Sequence, residues 1–167
     1  KKPRLSFSFT KHDFGPCFVV TPRNGMQPAT ATLYLINEDE SEIYFDMPFD
    51  DVDFLTAEVG MTTIAPGESA SVALSFAPPA AGKFATRLPF LINGLYPQSV
   101  AIAGEGCDLR LELADPAQQQ LSLGSVPLNQ AISRQVGLVN RSKRPVDVSL
   151  ADAAAKLRAP GTALLIG

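Results

Sequence analysis

Short alternating runs of apolar and polar residues dominate this chain. Leu5-Ser6-Phe7-Ser8-Phe9 places apolar residues at every second position, the period of a half-buried strand. The same reading holds for Thr30–Ile36, Ile43-Tyr44-Phe45, Arg87–Ile92 and Ser99–Ala103. In Ser71–Phe76 the alternation is cleanest, with Val72, Leu74 and Phe76 on one side. Prolines 16, 22, 28, 48, 66, 78, 79, 89 and 97 punctuate the first hundred residues, too often for helices, because proline fixes φ and removes a donor. Asn93-Gly94 between two runs predicts a hairpin, and Pro66-Gly67 fits the two central positions of a type II turn. About seven short strands with turn chemistry between them predict an antiparallel β-sandwich. Its core is expected to hold Phe7, Phe9, Phe14, Leu33, Leu35, Phe45, Val72, Leu74 and Phe76.

The pattern partly repeats. Leu33, Leu35, Asn37, Ile43 and Phe45 correspond to Val136, Leu138, Asn140, Val146 and Val148 at a shift of 103 positions. Leu5-Phe7-Phe9 corresponds to Leu109-Leu111-Leu113 at a shift of 104, and Phe14-Gly15 to Leu123-Gly124. A period near 100 residues is the size of an immunoglobulin-like unit. The expected organisation is one complete domain over residues 1–107 and the N-terminal part of a second over 108–167, the whole being a piece of a longer array. With almost no spacer between Ala103 and Leu109, the two units are expected to be held by direct contact rather than by a flexible tether.

Composition narrows the function. Hydrophobic residues make up 46% and charged residues 19%, which suits a packed core, and no apolar run reaches the roughly 18–20 residues of a membrane-spanning helix. The formal net charge of −3 disfavours nucleic acid as a partner. His12 stands alone between Lys11 and Asp13, and no Gly-x-Ser-x-Gly elbow occurs, so it is read as a surface turn residue rather than a catalytic base. Cys17 and Cys107 open and close the first unit. They read as reduced, packed thiols, a disulfide being conceivable only if their strands are neighbours. One His and two distant Cys do not make a metal site, and Asp50-Asp51-x-Asp53 lacks the glycine and closing glutamate of a calcium loop. No catalytic residue, metal or cofactor is expected.

Charge is unevenly distributed. Between Asn24 and Gly82 there is no Lys or Arg, yet ten acids fall there, among them Asp50, Asp51 and Asp53. Residues 1–108 carry 7 basic and 13 acidic side chains, whereas residues 109–167 carry 7 and 4. The acidic stretch reads as a solvated rim or a docking surface for a basic protein. Arg141, Lys143 and Arg144 read as a plain solvated loop or a contact for an acidic protein, tubulin included.

Ordered along the chain, Asp13-Phe14-Gly15-Pro16-Cys17, Leu33-Tyr34-Leu35-Ile36-Asn37, Ile64-Ala65-Pro66-Gly67-Glu68, Val72–Pro78 with its Phe-x-Pro ending, and Val100–Gly106 with its Gly-x-Gly ending form a recognisable set. This set resembles the ASH (ASPM–SPD2–Hydin) domain family, and within it the long arrays of motile cilia. The second unit matches only the first half, with Ser122-Leu123-Gly124 in place of Asp-Phe-Gly. The resemblance implies tandem immunoglobulin-like sandwiches related to the major sperm protein fold. It also implies a non-enzymatic scaffold in the central-pair apparatus of the axoneme, hence cytoplasm and cytoskeleton as location. Other central-apparatus proteins and microtubules would be its partners, with no nucleic acid, membrane or small-molecule substrate. The alternatives are a peptide-binding adaptor of the major sperm protein type and a targeting module of the centrosome or ciliary base.

Overall fold

A computed structural model describes residues 1–120 and 124–148. The chain divides between Asp108 and Leu109 into two compact units. In the first unit the strands are β1 (Leu5–Phe7), β2 (Lys11–Phe18), β3 (Ala29–Asn37), β4 (Ile43–Asp46), β5 (Leu55–Val59), β6 (Thr63–Ile64), β7 (Ser69–Phe76), β8 (Gly82–Ile92) and β9 (Tyr96–Cys107). They form a four-stranded sheet, β1-β3-β7-β5, and a five-stranded sheet, β2-β9-β8-β4-β6. Alternate residues of both sheets point inward into one core: Leu33, Leu35, Val72, Leu74 and Phe76 from the first, Leu88, Phe90, Ile92, Val100 and Ile102 from the second. Phe45 is fully buried as expected, while Phe7, Phe9 and Phe14 are half-buried and pack against the core from its margin.

Three sequence readings need correction. The sandwich is not wholly antiparallel, because β2 runs parallel to β9. His12, read as a surface turn residue, lies within β2 and is half-buried between aromatic rings, its centroid 5.0 Å from that of Phe9 and 4.6 Å from that of Phe14. Pro16, read as punctuation between runs, is instead absorbed with Gly15 into the strand by a bulge between Asp13 and Pro16. Gly15 takes φ +67°, open to glycine at little cost, and its N–H donates to the Asp13 carboxylate at 2.8 Å. The bulge turns Phe14 inward, where it stacks on Phe76 at 5.1 Å and 11°.

Other turns form as the sequence requires. Gly67 has φ +78°, and the Glu68 N–H donates to the Ala65 carbonyl at 3.0 Å, closing the turn at Pro66-Gly67. Asn93 and Gly94 both have positive φ in the β8–β9 hairpin. The Gly-x-Gly and Phe-x-Pro motifs explain each other. A Cβ at Gly104 would lie 2.5 Å from the Phe76 ring, and one at Gly106 would lie 2.0 Å from the Ala80 carbonyl oxygen and 2.9 Å from Pro78 Cβ. The end of β7 and the segment after it therefore press directly on the backbone of β9, and only glycine leaves room.

In the second unit, β10 (Leu111–Leu113) pairs antiparallel with β11 (Leu138–Asn140), and a 3-10 turn at Pro116–Gln119 is capped by Asp115. Gly124 has φ +65°, matching Gly15 of the first unit. Ser122 and Leu123, which stand in place of Asp-Phe in the repeat, lie outside the described residues.

Candidate docking surfaces

Asn37 organises one end of the first sandwich. It is the buried polar residue among the described residues, and its side chain satisfies three backbone groups. Nδ2 donates to the carbonyls of Ser41 and Ile64, both at 2.8 Å, and Oδ1 accepts from the Asp39 N–H at 2.8 Å. A strand that ends in asparagine thus fixes the following acidic loop, 38–42. Asp39 then closes on the chain's start: its carboxylate accepts the Arg4 N–H at 3.1 Å and lies 3.9 Å from Arg4 Nε. The Arg4 N–H bond is the main cause of a pKa held below the ordinary 3.8, with further help from the Glu40 N–H and the charges of Lys1 and Arg4.

A carboxylate whose folded pKa is depressed stabilises the fold above its unfolded pKa, and that contribution is lost as pH falls through the folded value. Asp39→Asn is therefore expected to lower the urea midpoint at pH 7 and to leave the variant less sensitive to acidification below about pH 3.8 than the parent. Parallel slopes for the two proteins between pH 5 and pH 2 would mean that Asp39 makes no contribution of this kind.

The acidic stretch does not form one rim. Residues 38–42 follow the C-terminal end of β3, whereas Asp50, Asp51 and Asp53 precede β5, whose first residue is level with the start of β3 through β7. Eight residue steps separate these ends, roughly 27 Å at about 3.4 Å per step and well beyond a Debye length of about 8 Å. The two clusters are electrically independent. Within the second, Asp51 supports the local backbone, since its Oδ1 accepts the Ala57 N–H at 3.0 Å. Val52 and Leu55 also exchange backbone bonds of 3.0 and 3.1 Å. Together these contacts occupy outward-facing donors of β5, an edge strand that would otherwise offer them to another chain. Asp50 and Asp53 are exposed.

Arg141, Lys143 and Arg144 are exposed on the bend that follows β11. Asn140 shapes that bend as Asn37 shapes the first: Oδ1 accepts the Ser142 N–H at 2.9 Å and Nδ2 donates to the Arg144 carbonyl at 2.7 Å. Arg141 Nε lies 3.5 Å from the Glu112 carboxylate. Hydrogen bonding also corrects the repeat. Leu5 pairs with Asn37 and Leu111 with Asn140, so the first strands correspond at a shift of 106 rather than 104. A two-residue slip keeps every side chain on its face, which is why alternation alone did not reveal it.

Cys17 pairs with Gly106, and Cys107 with Phe18, so the strands are neighbours but the thiols point to opposite faces; both are buried and neither is in a disulfide. Among the described residues no three His, Cys, Asp or Glu side chains gather where they could hold a metal ion. No helix among them is long and apolar enough to cross a membrane. A cleft of about 420 Å³ lies at the β2 bulge and involves Asp13, Lys83 and Glu105, none of the residues singled out for docking.

The architecture has relatives. Mouse hydrocephalus-inducing protein is 34% identical over 140 residues, 84% of this chain, and the human homologue is 31% identical over the same length. The chain spans 3% of the length of each. Among solved structures, the ASH/PapD-like domain 7 of human CEP192 superposes with a TM-score of 0.51 at 10% identity, over 66% of this chain and 92% of that one, a likeness of fold. The family model for the HYDIN/CFA65/VesB-like Ig-like domain matches residues 3–107. That match covers the whole sandwich from β1 to β9, with the Asp-Phe-Gly bulge, the Asn37 hub and the paired Phe-x-Pro and Gly-x-Gly motifs, and the chain belongs to this family of immunoglobulin-like domains.

Proposed function

We propose that this chain is a non-enzymatic structural module of a ciliary scaffold in the axonemal central apparatus, working through spacing and charge-guided docking. The observation that carries the reading is the family match over the first sandwich, joined to identity of 34% and 31% with two hydrocephalus-inducing proteins that extends past it into the second unit. The surfaces support it in kind. The side chains gathered in the two loops are cations and carboxylates on hydrogen-bonded backbone, suited to binding a charged protein surface. Asp50 and Asp53 offer a contact to a basic neighbour, Asp51 being partly committed to the β5 edge. Arg141, Lys143 and Arg144 offer one to an acidic neighbour, for which the microtubule surface qualifies.

Each exposed ion pair contributes about 0–1 kcal/mol and is screened by salt, so several must act together with shape. Co-sedimentation of the chain with microtubules tests the basic loop. The chain is expected to pellet at low ionic strength and to be released by added salt, and the triple variant Arg141→Glu, Lys143→Glu, Arg144→Glu is expected to stay in the supernatant. Equal pelleting of parent and variant, or pelleting indifferent to salt, removes the loop as a microtubule contact. Affinity capture from isolated axonemes tests the wider assignment, which fails if central-apparatus proteins are not enriched.

A further inference from the structure

The two units close the first strand on the asparagine bend with the same bonds but with different chemistry at one position. In the first unit the Glu38 N–H donates to the Arg4 carbonyl at 2.9 Å, and the Arg4 N–H donates to the carboxylate of Asp39, two residues after Asn37. In the second unit the Arg141 N–H donates to the Arg110 carbonyl at 2.7 Å, and the Arg110 N–H donates to the hydroxyl of Ser142, two residues after Asn140. Ser142 Oγ thus occupies the place of a carboxylate oxygen. The charges around it are also reversed. Where the first bend reads Asn37-Glu38-Asp39-Glu40, the second reads Asn140-Arg141-Ser142-Lys143-Arg144. The first site is an anion held by a backbone N–H and an arginine; the second has the donor and the cations but a neutral acceptor.

We propose that Ser142 is a phosphorylation site for a serine/threonine kinase with an acidic substrate cleft, and that its phosphate takes the anionic position held by Asp39 in the first unit. The flanking residues supply the recognition: Arg141 precedes the serine, Lys143 and Arg144 follow it, and all three are exposed. In the transfer, Ser142 Oγ bonds to the γ-phosphorus of Mg-ATP as the bond from that phosphorus to the β,γ-bridging oxygen breaks. ADP leaves, and the hydroxyl proton passes to the kinase's catalytic carboxylate. The product carries about −1.5 to −2 charge and three acceptor oxygens. Flanked in sequence by Arg141, Lys143 and Arg144, it accepts the Arg110 N–H, which already donates to Ser142 Oγ, as a charge-assisted bond, roughly twice as strong as the neutral one. The reading does not depend on what the loop docks to, although a phosphate there would cancel most of the loop's positive charge.

The test treats the folded chain with such a kinase, Mg²⁺ and ATP, maps the phosphate by mass spectrometry, and follows amide exchange at Arg110. Expected are one phosphate at Ser142, its absence in Ser142→Ala, slower transfer to Arg141→Ala/Arg144→Ala, and Arg110 exchange slowed roughly five- to ten-fold. Ser142→Asp, which needs no kinase, is expected to slow Arg110 exchange in the same direction. Transfer to other serines but not to Ser142, or transfer only after denaturation, overturns the site. Unchanged or faster Arg110 exchange in both the phosphorylated chain and Ser142→Asp overturns the correspondence with Asp39.

Discussion

Truncating Phe76 to alanine is expected to cost about 3–5 kcal/mol, much of the roughly 5–15 kcal/mol that holds a typical domain. Its ring is almost fully buried, stacks on Phe14, and meets Phe54 and Phe84 edge-on at 6.3 Å, so three aromatic partners lose their neighbour at once. The fourth partner is the backbone of Gly104, and it makes the contact separable. Gly104 has no positive φ, so alanine is conformationally allowed there; what forbids it is the Phe76 ring 2.5 Å from the new methyl. Gly104→Ala alone should cost about 1–3 kcal/mol through overpacking, and in the Phe76→Ala background should cost little or even recover stability. All three tyrosines, Tyr34, Tyr44 and Tyr96, lie in the first unit, so tyrosine fluorescence in a urea titration reads its stability selectively. Additive losses for the two substitutions would show that ring and glycine are not in contact.

The same pair shows what the sequence could and could not reveal. Alternation placed Val72, Leu74 and Phe76 in the core because a period of two is a local signal, and Pro66-Gly67 and Asn93-Gly94 encode their turns through φ alone. Phe-x-Pro and Gly-x-Gly, by contrast, are separated by some 26 positions, and their meaning lies in a contact across the sandwich. Composition around them gives no hint that one excludes a Cβ from the other. The strand at Lys11–Phe18 was obscured for a related reason. Gly15 and Pro16 carry the ordinary signals of a chain break, and only pairing with β9 on either side of a bulge turns them into strand. His12 was misplaced with it.

At the candidate docking surfaces, charge was legible and geometry was not. Ten acids without a single cation read as one feature along the chain, yet β3 and β7 set residues 38–42 and 50–53 at opposite ends of the sandwich, with Glu58 between them in β5. Asp51 looked like its neighbours Asp50 and Asp53 until the β5 edge gave its carboxylate an N–H to accept. The basic loop fared better, since Arg141, Lys143 and Arg144 lie within four residues and one bend exposes them together. Proximity in sequence then suffices.

Asn37→Ala is expected to be among the most damaging polar substitutions in the chain, and Asn140→Ala to be mild, although the repeat makes them equivalent. Both asparagines accept an N–H from two residues on and donate to a carbonyl four residues on. Their surroundings differ. Asn37 is fully buried and also donates to the Ile64 carbonyl across the core, so its loss strands one buried carbonyl and unpairs two part-buried groups, the Ser41 carbonyl and the Asp39 N–H. At about 1–3 kcal/mol for the buried carbonyl and about 0.5–1.5 kcal/mol for each part-buried bond, the total should reach about 3 kcal/mol. Asn140 is exposed, and water can take up its partners at a net cost of about 0.5–1.5 kcal/mol. Tyrosine-detected urea unfolding measures the first effect, and amide exchange at Ser142, whose N–H donates to Asn140, measures the second. A loss below about 1 kcal/mol for Asn37→Ala would mean that water enters the site beneath the acidic loop, and that the hub does not fix the loop as its bonds imply.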